Sequence, residues 1–252
     1  MMRPRRSLAG GTCMTRSKLP ATLVLCATAP RQTLAVRASS WLDAARAVAV
    51  PVTWVVGIDS LAGIASGVGD VDLALDIPPA ACGSRSRLRD LLARARDITP
   101  GMTSVVLRGP TPPAHRGLLV EEGSSVALVD TFDDDSRGNR RPAPKGWPCR
   151  NSVWGLWEVQ VAAHRPGGLL GWLGFDGQPA VKRGGLQVLR TDGVSVGNNG
   201  SAFISPRLER WISWASQRRF CGAAVVMSLS AVPEMIAGSA RESVAGSVLR
   251  AA

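Results

Sequence analysis

Carboxylates that directly follow apolar runs are the residues of this chain best suited to chemistry. The run Thr131–Asp135 reads T-F-D-D-D and comes straight after the stretch S-S-V-A-L-V-D. Three adjacent carboxylates could hold a divalent metal ion, or supply a general acid and a general base. A solvated loop is the alternative, because Arg137, Arg140 and Arg141 follow within a few residues and could face the acids.

Histidine, the other common ligand and proton carrier, is scarce. The chain has two histidines, His115 and His164, which lie far apart in sequence. Neither belongs to an H-E-x-x-H or H-x-x-x-H pattern, which would present two imidazoles to one zinc ion. A site for zinc or another divalent metal would have to be rebuilt from these histidines and distant carboxylates. We expect no cofactor unless such a rebuilt site exists.

Several motifs of nucleotide-binding and acyl-transfer enzymes are missing. No G-x-x-x-x-G-K-S/T run occurs, and the glycine-rich stretch G-G-L-L-G-W-L-G-F lacks the G-x-G-x-x-G spacing. No G-x-S-x-G nucleophile elbow occurs either. These gaps argue against a P-loop ATPase, a dinucleotide-binding fingerprint and an elbow-type hydrolase.

The cysteines predict no cross-links. They are scattered, odd in number and without a C-x-x-C pair, so neither a disulfide framework nor a zinc cluster is expected. We interpret them as small buried side chains in a reducing compartment. The five are Cys13, Cys26, Cys82, Cys149 and Cys221.

Charge is the strongest feature of the composition. The formal net charge is +11, from 30 Lys and Arg against 19 Asp and Glu, which favours phosphate or an anionic polymer as a partner. The excess is nearly all arginine, however, as codon bias in a GC-rich genome would also produce. No apolar run reaches the length of a transmembrane helix. A signal-like segment ends at Ala29, but A-T-L-V-L-C-A within it also fits a buried strand, so we predict a cytoplasmic protein and leave export open.

The hydrophobic pattern predicts alternating strands and helices. Short apolar, β-branched runs at 21–27, 50–56, 103–108 and 222–229 read as buried strands, and amphipathic stretches such as S-R-L-R-D-L-L-A-R-A-R-D read as helices. Residues 1–18 are predicted to be a disordered basic leader, and residues 19–252 a single domain. We predict an α/β fold, a distorted (β/α) barrel of about seven parallel strands, with a doubly wound open sheet as the alternative.

Five segments, in their order along the chain, carry a resemblance to a known family. They are L-D-A-A-R-A-V-A-V-P-V-T-W-V-V, V-V-L-R-G-P, H-R-G-L-L-V-E-E-G, G-L-W-E-V-Q-V and G-G-L-Q-V-L-R-T-D-G. Together they resemble a divergent polysaccharide deacetylase, the NodB homology domain of carbohydrate esterase family 4, over roughly Leu19 to Ile236. The resemblance implies a distorted barrel and hydrolysis of a carbon–nitrogen, non-peptide bond in carbohydrate. It also implies a metal held by one Asp and two His, with an Asp base and a late His acid.

The chain departs from this family at the positions that carry the chemistry. T-A-P-R-Q-T follows the first strand instead of an Asp pair, D-L-A-L-D-I-P-P-A-A-C stands where H-x-x-x-H belongs, and Thr191 replaces the late His. The metal-binding motifs are therefore lost by this alignment. Weak catalytic candidates remain at or near predicted strand ends. Arg108 and Asp192 match family positions, and Asp59 and Asp76 are expected just after strands. Glu158 is expected to face inward, like Arg108, with an exposed strand position as the alternative.

The family's first motif is itself T-F-D-D-G, which makes Thr131–Asp135 resemble a direct match. Four or five predicted strands precede the run, whereas the motif belongs on the first strand. We therefore interpret it as a solvated loop after a mid-barrel strand.

Three functional hypotheses follow. The first is a degenerate deacetylase-like protein that binds or acts on carbohydrate. The second is a basic module for nucleic acid or another polyanion, based on residues 137–150 and on the helix R-L-E-R-W-I-S-W-A-S-Q-R-R, each of which combines cations with tryptophan. The third is a partner-binding domain with no small-molecule site.

Overall fold

The computed structural model of the protein is a seven-stranded parallel barrel. It describes residues 20–29, 42–43, 45–64, 71–129, 149–150, 155–161, 184–196 and 202–238. The strands are β1 (Ala21–Thr28), β2 (Val52–Val56), β3 (Leu73–Ile77), β4 (Ser104–Leu107), β5 (Val126–Val129), β6 (Cys149–Arg150), β7 (Trp157–Gln160), β8 (Leu186–Asp192), β9 (Val194–Val196), β10 (Ala202–Ile204) and β11 (Ala224–Met227).

The barrel closes through neighbouring parallel strands. Its order is β8-β1-β2-β3-β4-β5-β7, and a parallel bridge between Val161 and Val188 joins β7 back to β8. Two further strands extend the sheet, since β11 pairs with the first half of β1 and β6 runs antiparallel to β7. This confirms the predicted barrel, and the doubly wound alternative is wrong.

Alternation along each strand divides the apolar residues into two layers. On β1, Val24 and Cys26 belong to an interior cluster that fills the barrel, whereas Leu23 and Leu25 belong to an outer cluster under the helices. Every residue from Ala21 to Ala27 is buried, because β1 is covered on both faces. The sequence shows continuous apolar runs because the strands are buried on both faces.

Five helices with defined bounds lie in the described part of the chain. They are α1 (Ile58–Ile64), α2 (Pro79–Cys82), α3 (Arg85–Ile98), α4 (Pro113–Glu121) and α5 (Pro206–Phe220). Helix α3 buries Leu88, Leu92 and Ala95 at helical spacing and exposes its arginines, as predicted. Helix α5 begins at an N-cap, Ser205, whose hydroxyl accepts the Leu208 amide at 3.2 Å.

The structure also contains elements that the sequence reading missed. Helices α1 and α2 and the β9–β10 hairpin were not predicted, and β8 continues beyond Arg190 to Asp192. Gly193 permits this extension. An added Cβ there would overlap the Trp54 ring and lie 2.9 Å from the Thr28 carbonyl oxygen, so only glycine fits where β8 passes this close to β1.

Candidate functional site

Two of the sequence candidates meet at the carboxyl end of the barrel. Asp76 lies on β3, and Arg108 directly follows β4, the neighbouring strand. Arg108 Nε donates to Asp76 Oδ1 at 2.6 Å, and the two side chains are 31% and 18% exposed, respectively. A charge-assisted hydrogen bond of this length in a half-buried position fixes both side chains.

The location of Asp76 corrects one expectation. It was expected just after a strand, but it occupies the fourth position of β3. Its neighbours Leu75 and Ile77 belong to the outer cluster, whereas Ala74 belongs to the interior cluster. Asp76 therefore shares the inward face with Ala74 and lies at the mouth of the barrel.

Local packing holds Arg108 in place from the other side. Its backbone amide donates to the Ile77 carbonyl at 3.1 Å, which extends the β3–β4 ladder by one residue. A Cβ added to Gly109 would lie 3.2 Å from the Cα and Cβ of Pro79, so the chain passes closely over the start of α2. Among the described residues, the guanidinium of Arg108 bonds to Asp76 through Nε. Its two terminal nitrogens are therefore left for a ligand.

The late strand β8 brings a second arginine to the interior. Arg190 alternates with Val188 on the inward face and pairs in register with Cys26. Burial raises the pKa of the Cys26 thiol to about 12; the Arg190 charge opposes this rise and the Asp72 charge adds to it. The sequence reading passed over Arg190, although its place two residues before Asp192 on an alternating strand could have signalled it.

The remaining candidates do not join Asp76 and Arg108. Asp192 ends β8 and is exposed, and its backbone carbonyl accepts the Ser205 hydroxyl at 2.5 Å. Asp59 lies three residues after the end of β2, exposed in the first turn of α1, where the helix dipole stabilises a carboxylate.

The inward orientation expected for Glu158 is wrong. Val159 and Trp157 contact the interior cluster, so the alternation of β7 turns Glu158 to the outside. There it forms an ion pair of 2.9 Å with Arg116 of α4.

Histidine and cysteine contribute packing rather than ligands in the described residues. His115 Nδ1 lies 3.0 Å from the Cys82 carbonyl oxygen, in hydrogen-bond contact between α4 and α2. Cys26 and Cys82 are buried as expected, but Cys221 is exposed at the end of α5, which corrects that expectation. Cys13, His164 and the burial of Cys149 lie outside what the structure describes, as does Thr131–Asp135.

A polar cluster at the amino end of the barrel was also missed. Asp72, directly before β3, accepts the Thr53 hydroxyl and the Ser230 hydroxyl, each at 2.5 Å. The Leu229 amide donates to Thr53 Oγ1 at 2.8 Å. Burial raises the pKa of Asp72 despite these donors and the backbone amides of Leu229 and Ser230. D-V-D-L-A-L-D-I placed Asp72 and Asp76 on one face, which was the signal available.

Two cavities in the described residues lie away from Asp76 and Arg108. One of about 560 Å³ is bordered by Arg46, Trp54 and Asp72 near the amino end. The other, of about 230 Å³, lies between the end of α3 and the turn that follows α4.

The basic helix α5 bears on the nucleic-acid hypothesis. Trp211 and Trp214 are buried against the barrel, so neither ring is available for base stacking. Arg207 lies 5.2 Å from the centre of the Trp211 ring and covers it further. The rest of that hypothesis depends on residues 137–150, nearly all outside the described part, and stays a prediction.

The zinc site that the resemblance implies does not fit the described residues. Within them, no three His, Cys, Asp or Glu side chains lie close enough to share a metal ion. Asp76 is bonded to an arginine, and His115 to a carbonyl group.

No helix in the described ranges is long and apolar enough to cross a membrane. Comparison of the chain with protein-family models, with curated proteins and with solved structures gives no match.

Proposed function

We propose that this chain is a degenerate polysaccharide-deacetylase-like protein that binds carbohydrate at the carboxyl end of its barrel. The observation that supports the proposal best is the Asp76–Arg108 pair at that end. In parallel barrels the carboxyl ends of the strands hold the ligand-binding residues. The resemblance points independently to the same arginine, within V-V-L-R-G-P.

The pair suits a sugar because it offers both kinds of hydrogen-bonding group. Arg108 uses Nε to hold Asp76, and its two terminal nitrogens are oriented as a planar donor fork. Asp76 Oδ2 can accept a hydrogen bond, and the Asp76 side chain is 18% exposed. Neighbouring hydroxyl groups, or a hydroxyl beside an acetamide, present the complementary acceptors and donors. The site binds in this proposal without hydrolysing, since the family's metal-binding motifs are absent from the aligned positions.

The test is a binding titration with an N-acetylated hexosamine oligosaccharide and with the same oligosaccharide after deacetylation. We expect measurable binding by the wild type and a loss of at least about tenfold in Arg108→Lys, because lysine cannot form the planar fork. Arg116→Lys is the matched control, since Arg116 is 32% exposed and also pairs with a carboxylate, but on the outside of the barrel. Equal binding by all three proteins, or binding by none, would overturn the proposal.

The proposed lack of deacetylase activity can be tested separately. Purified protein is incubated with the N-acetylated oligosaccharide, released acetate is measured, and zinc content is determined on the same sample. We expect no acetate release above the Arg108→Lys background. Acetate release together with stoichiometric zinc would show an active enzyme with a rebuilt site.

A further inference from the structure

The chain that follows β11 crosses the amino end of the barrel. Leu229 and Val232 are fully buried in the interior cluster, and Ile236 packs against the same cluster. Residues 232–238 are helical. Residues 228–238, which we call the strap, therefore supply apolar side chains to a core that is otherwise built from strands.

A small polar network ties the strap to the barrel. Ser230 Oγ donates to Asp72 Oδ1, Thr53 Oγ1 donates to Asp72 Oδ2, and the Leu229 amide donates to Thr53 Oγ1. Asp72 thus connects the strap to β2 and to the chain before β3. We call Asp72, Thr53 and Ser230 the latch.

A buried thiol lies beside the latch. Cys26 is the register partner of Thr53 in the β1–β2 ladder, and both residues are fully buried. The interior cluster that contains Cys26 also contains Leu229 and Val232. Removal of the strap would therefore open the interior near Cys26.

Cys82 provides an internal reference of a different kind. It is fully buried in the outer cluster, at the end of α2, and contacts the Ile77 carbonyl rather than the strap. Global unfolding exposes both thiols, whereas departure of the strap alone exposes only Cys26.

We propose that the strap leaves the amino end of the barrel as a unit when the latch is broken, which uncovers the interior around Cys26 while the barrel and its outer layer stay folded. The strap is covalently joined to the barrel at β11, and the parallel ladders from β1 to β8 close without it. Local opening of such a segment requires fewer contacts to break than global unfolding does. This inference is independent of the proposed function, because it concerns the opposite end of the barrel.

The test is thiol modification by iodoacetamide under native conditions, with each site followed by peptide mass spectrometry. Ser230→Ala removes one latch hydrogen bond, and we expect it to raise the modification rate of Cys26 by about two- to tenfold, the factor equivalent to one net hydrogen bond. Asp72→Ala should raise it further. Cys82 should keep its wild-type rate, and exposed Cys221 should react quickly throughout.

Ser86→Ala is the control, because Ser86 is exposed on α3 and its hydroxyl lies within hydrogen-bond distance of the Ser84 hydroxyl. It should leave the Cys26 rate unchanged. If Asp72→Ala does not fold, Ser230→Ala alone decides the question. Equal acceleration of Cys26 and Cys82, or no acceleration of Cys26 in the latch variants, would overturn the proposal.

Discussion

The two ends of the barrel differ in the hydrogen bonds that they give to an inward aspartate. Asp72 and Asp76 lie four residues apart at the two ends of β3. Asp72 accepts hydrogen bonds from the hydroxyl groups of Thr53 and Ser230 and from backbone amides. Asp76, within the described residues, accepts its side-chain hydrogen bond from Arg108 Nε.

This difference indicates which end of the barrel stabilises the fold and which end keeps hydrogen-bonding groups for a ligand. At the amino end the polar network is covered by Leu229 and Val232, both fully buried. Its donors and acceptors bond to one another, so little is left for a ligand. At the carboxyl end Asp76 and Arg108 are half-buried, and each keeps hydrogen-bonding capacity. The first end stabilises the barrel, and in our proposal the second end binds.

The largest expected effect is on the apolar part of the amino end. Leu229→Ala should lower the free energy of unfolding by about 2–5 kcal/mol, because it leaves a cavity in a filled interior. Val225→Ala, on the strand just before, is the control. Val225 is 44% exposed as a residue, so we expect the free energy of unfolding in urea to change by less than about 0.5 kcal/mol. If the two variants lose similar free energies of unfolding, the strap is not part of the core.

A smaller effect should separate the two aspartates directly. Asp72→Ala should cost about 1–3 kcal/mol, because buried donors lose their acceptor. Asp76→Ala should cost about 1 kcal/mol or less, because water can reach the freed guanidinium of Arg108. Urea denaturation of both variants measures the difference. A greater loss in Asp76→Ala would reverse the comparison.

The smallest effect is a pH dependence at the amino end. Burial raises the pKa of Asp72 above its ordinary value of 3.8, so the folded protein holds this proton more tightly than the unfolded chain does. The contribution is fully present below the ordinary value and is lost as pH rises through the folded pKa. Cys26 also faces this region, and its pKa of about 12 lies far above the range of the measurement.

Measurement of this dependence needs a non-titrating reference. The free energy of unfolding of the wild type minus that of Asp72→Asn should decrease as the pH rises from below 3.8 toward neutrality. An increase over the same interval would show that the hydrogen bonds from Ser230 and Thr53 outweigh burial.

The sequence predicted the barrel well because buried parallel strands leave a strong local pattern. The run at β1 is apolar on both faces, and α3 shows its buried stripe of Leu88, Leu92 and Ala95 directly. Short helices α1 and α2 left no such pattern, because one or two turns contain too few apolar positions to show a period. The extension of β8 past Arg190 depends on the tertiary contact between Gly193 and Trp54, which no local rule contains.

The site was predicted only in part for a similar reason. Arg108 and Asp76 were both named, but their contact arises from the pairing of β3 with β4. Glu158 was placed on the wrong face because its strand is short, and a shift of one residue reverses the orientation of every side chain. Asp72 was overlooked because its main partner, Ser230, lies 158 residues away in sequence.

The most direct test of this account compares Asp76→Asn with Asp72→Asn in both binding and stability. Titration with the N-acetylated oligosaccharide should show at least about tenfold weaker binding for Asp76→Asn, whose unfolding free energy stays within about 1 kcal/mol of the wild type. Asp72→Asn should keep wild-type affinity while folded. If Asp72→Asn weakens binding as much as Asp76→Asn does, the division between a structural amino end and a binding carboxyl end is wrong.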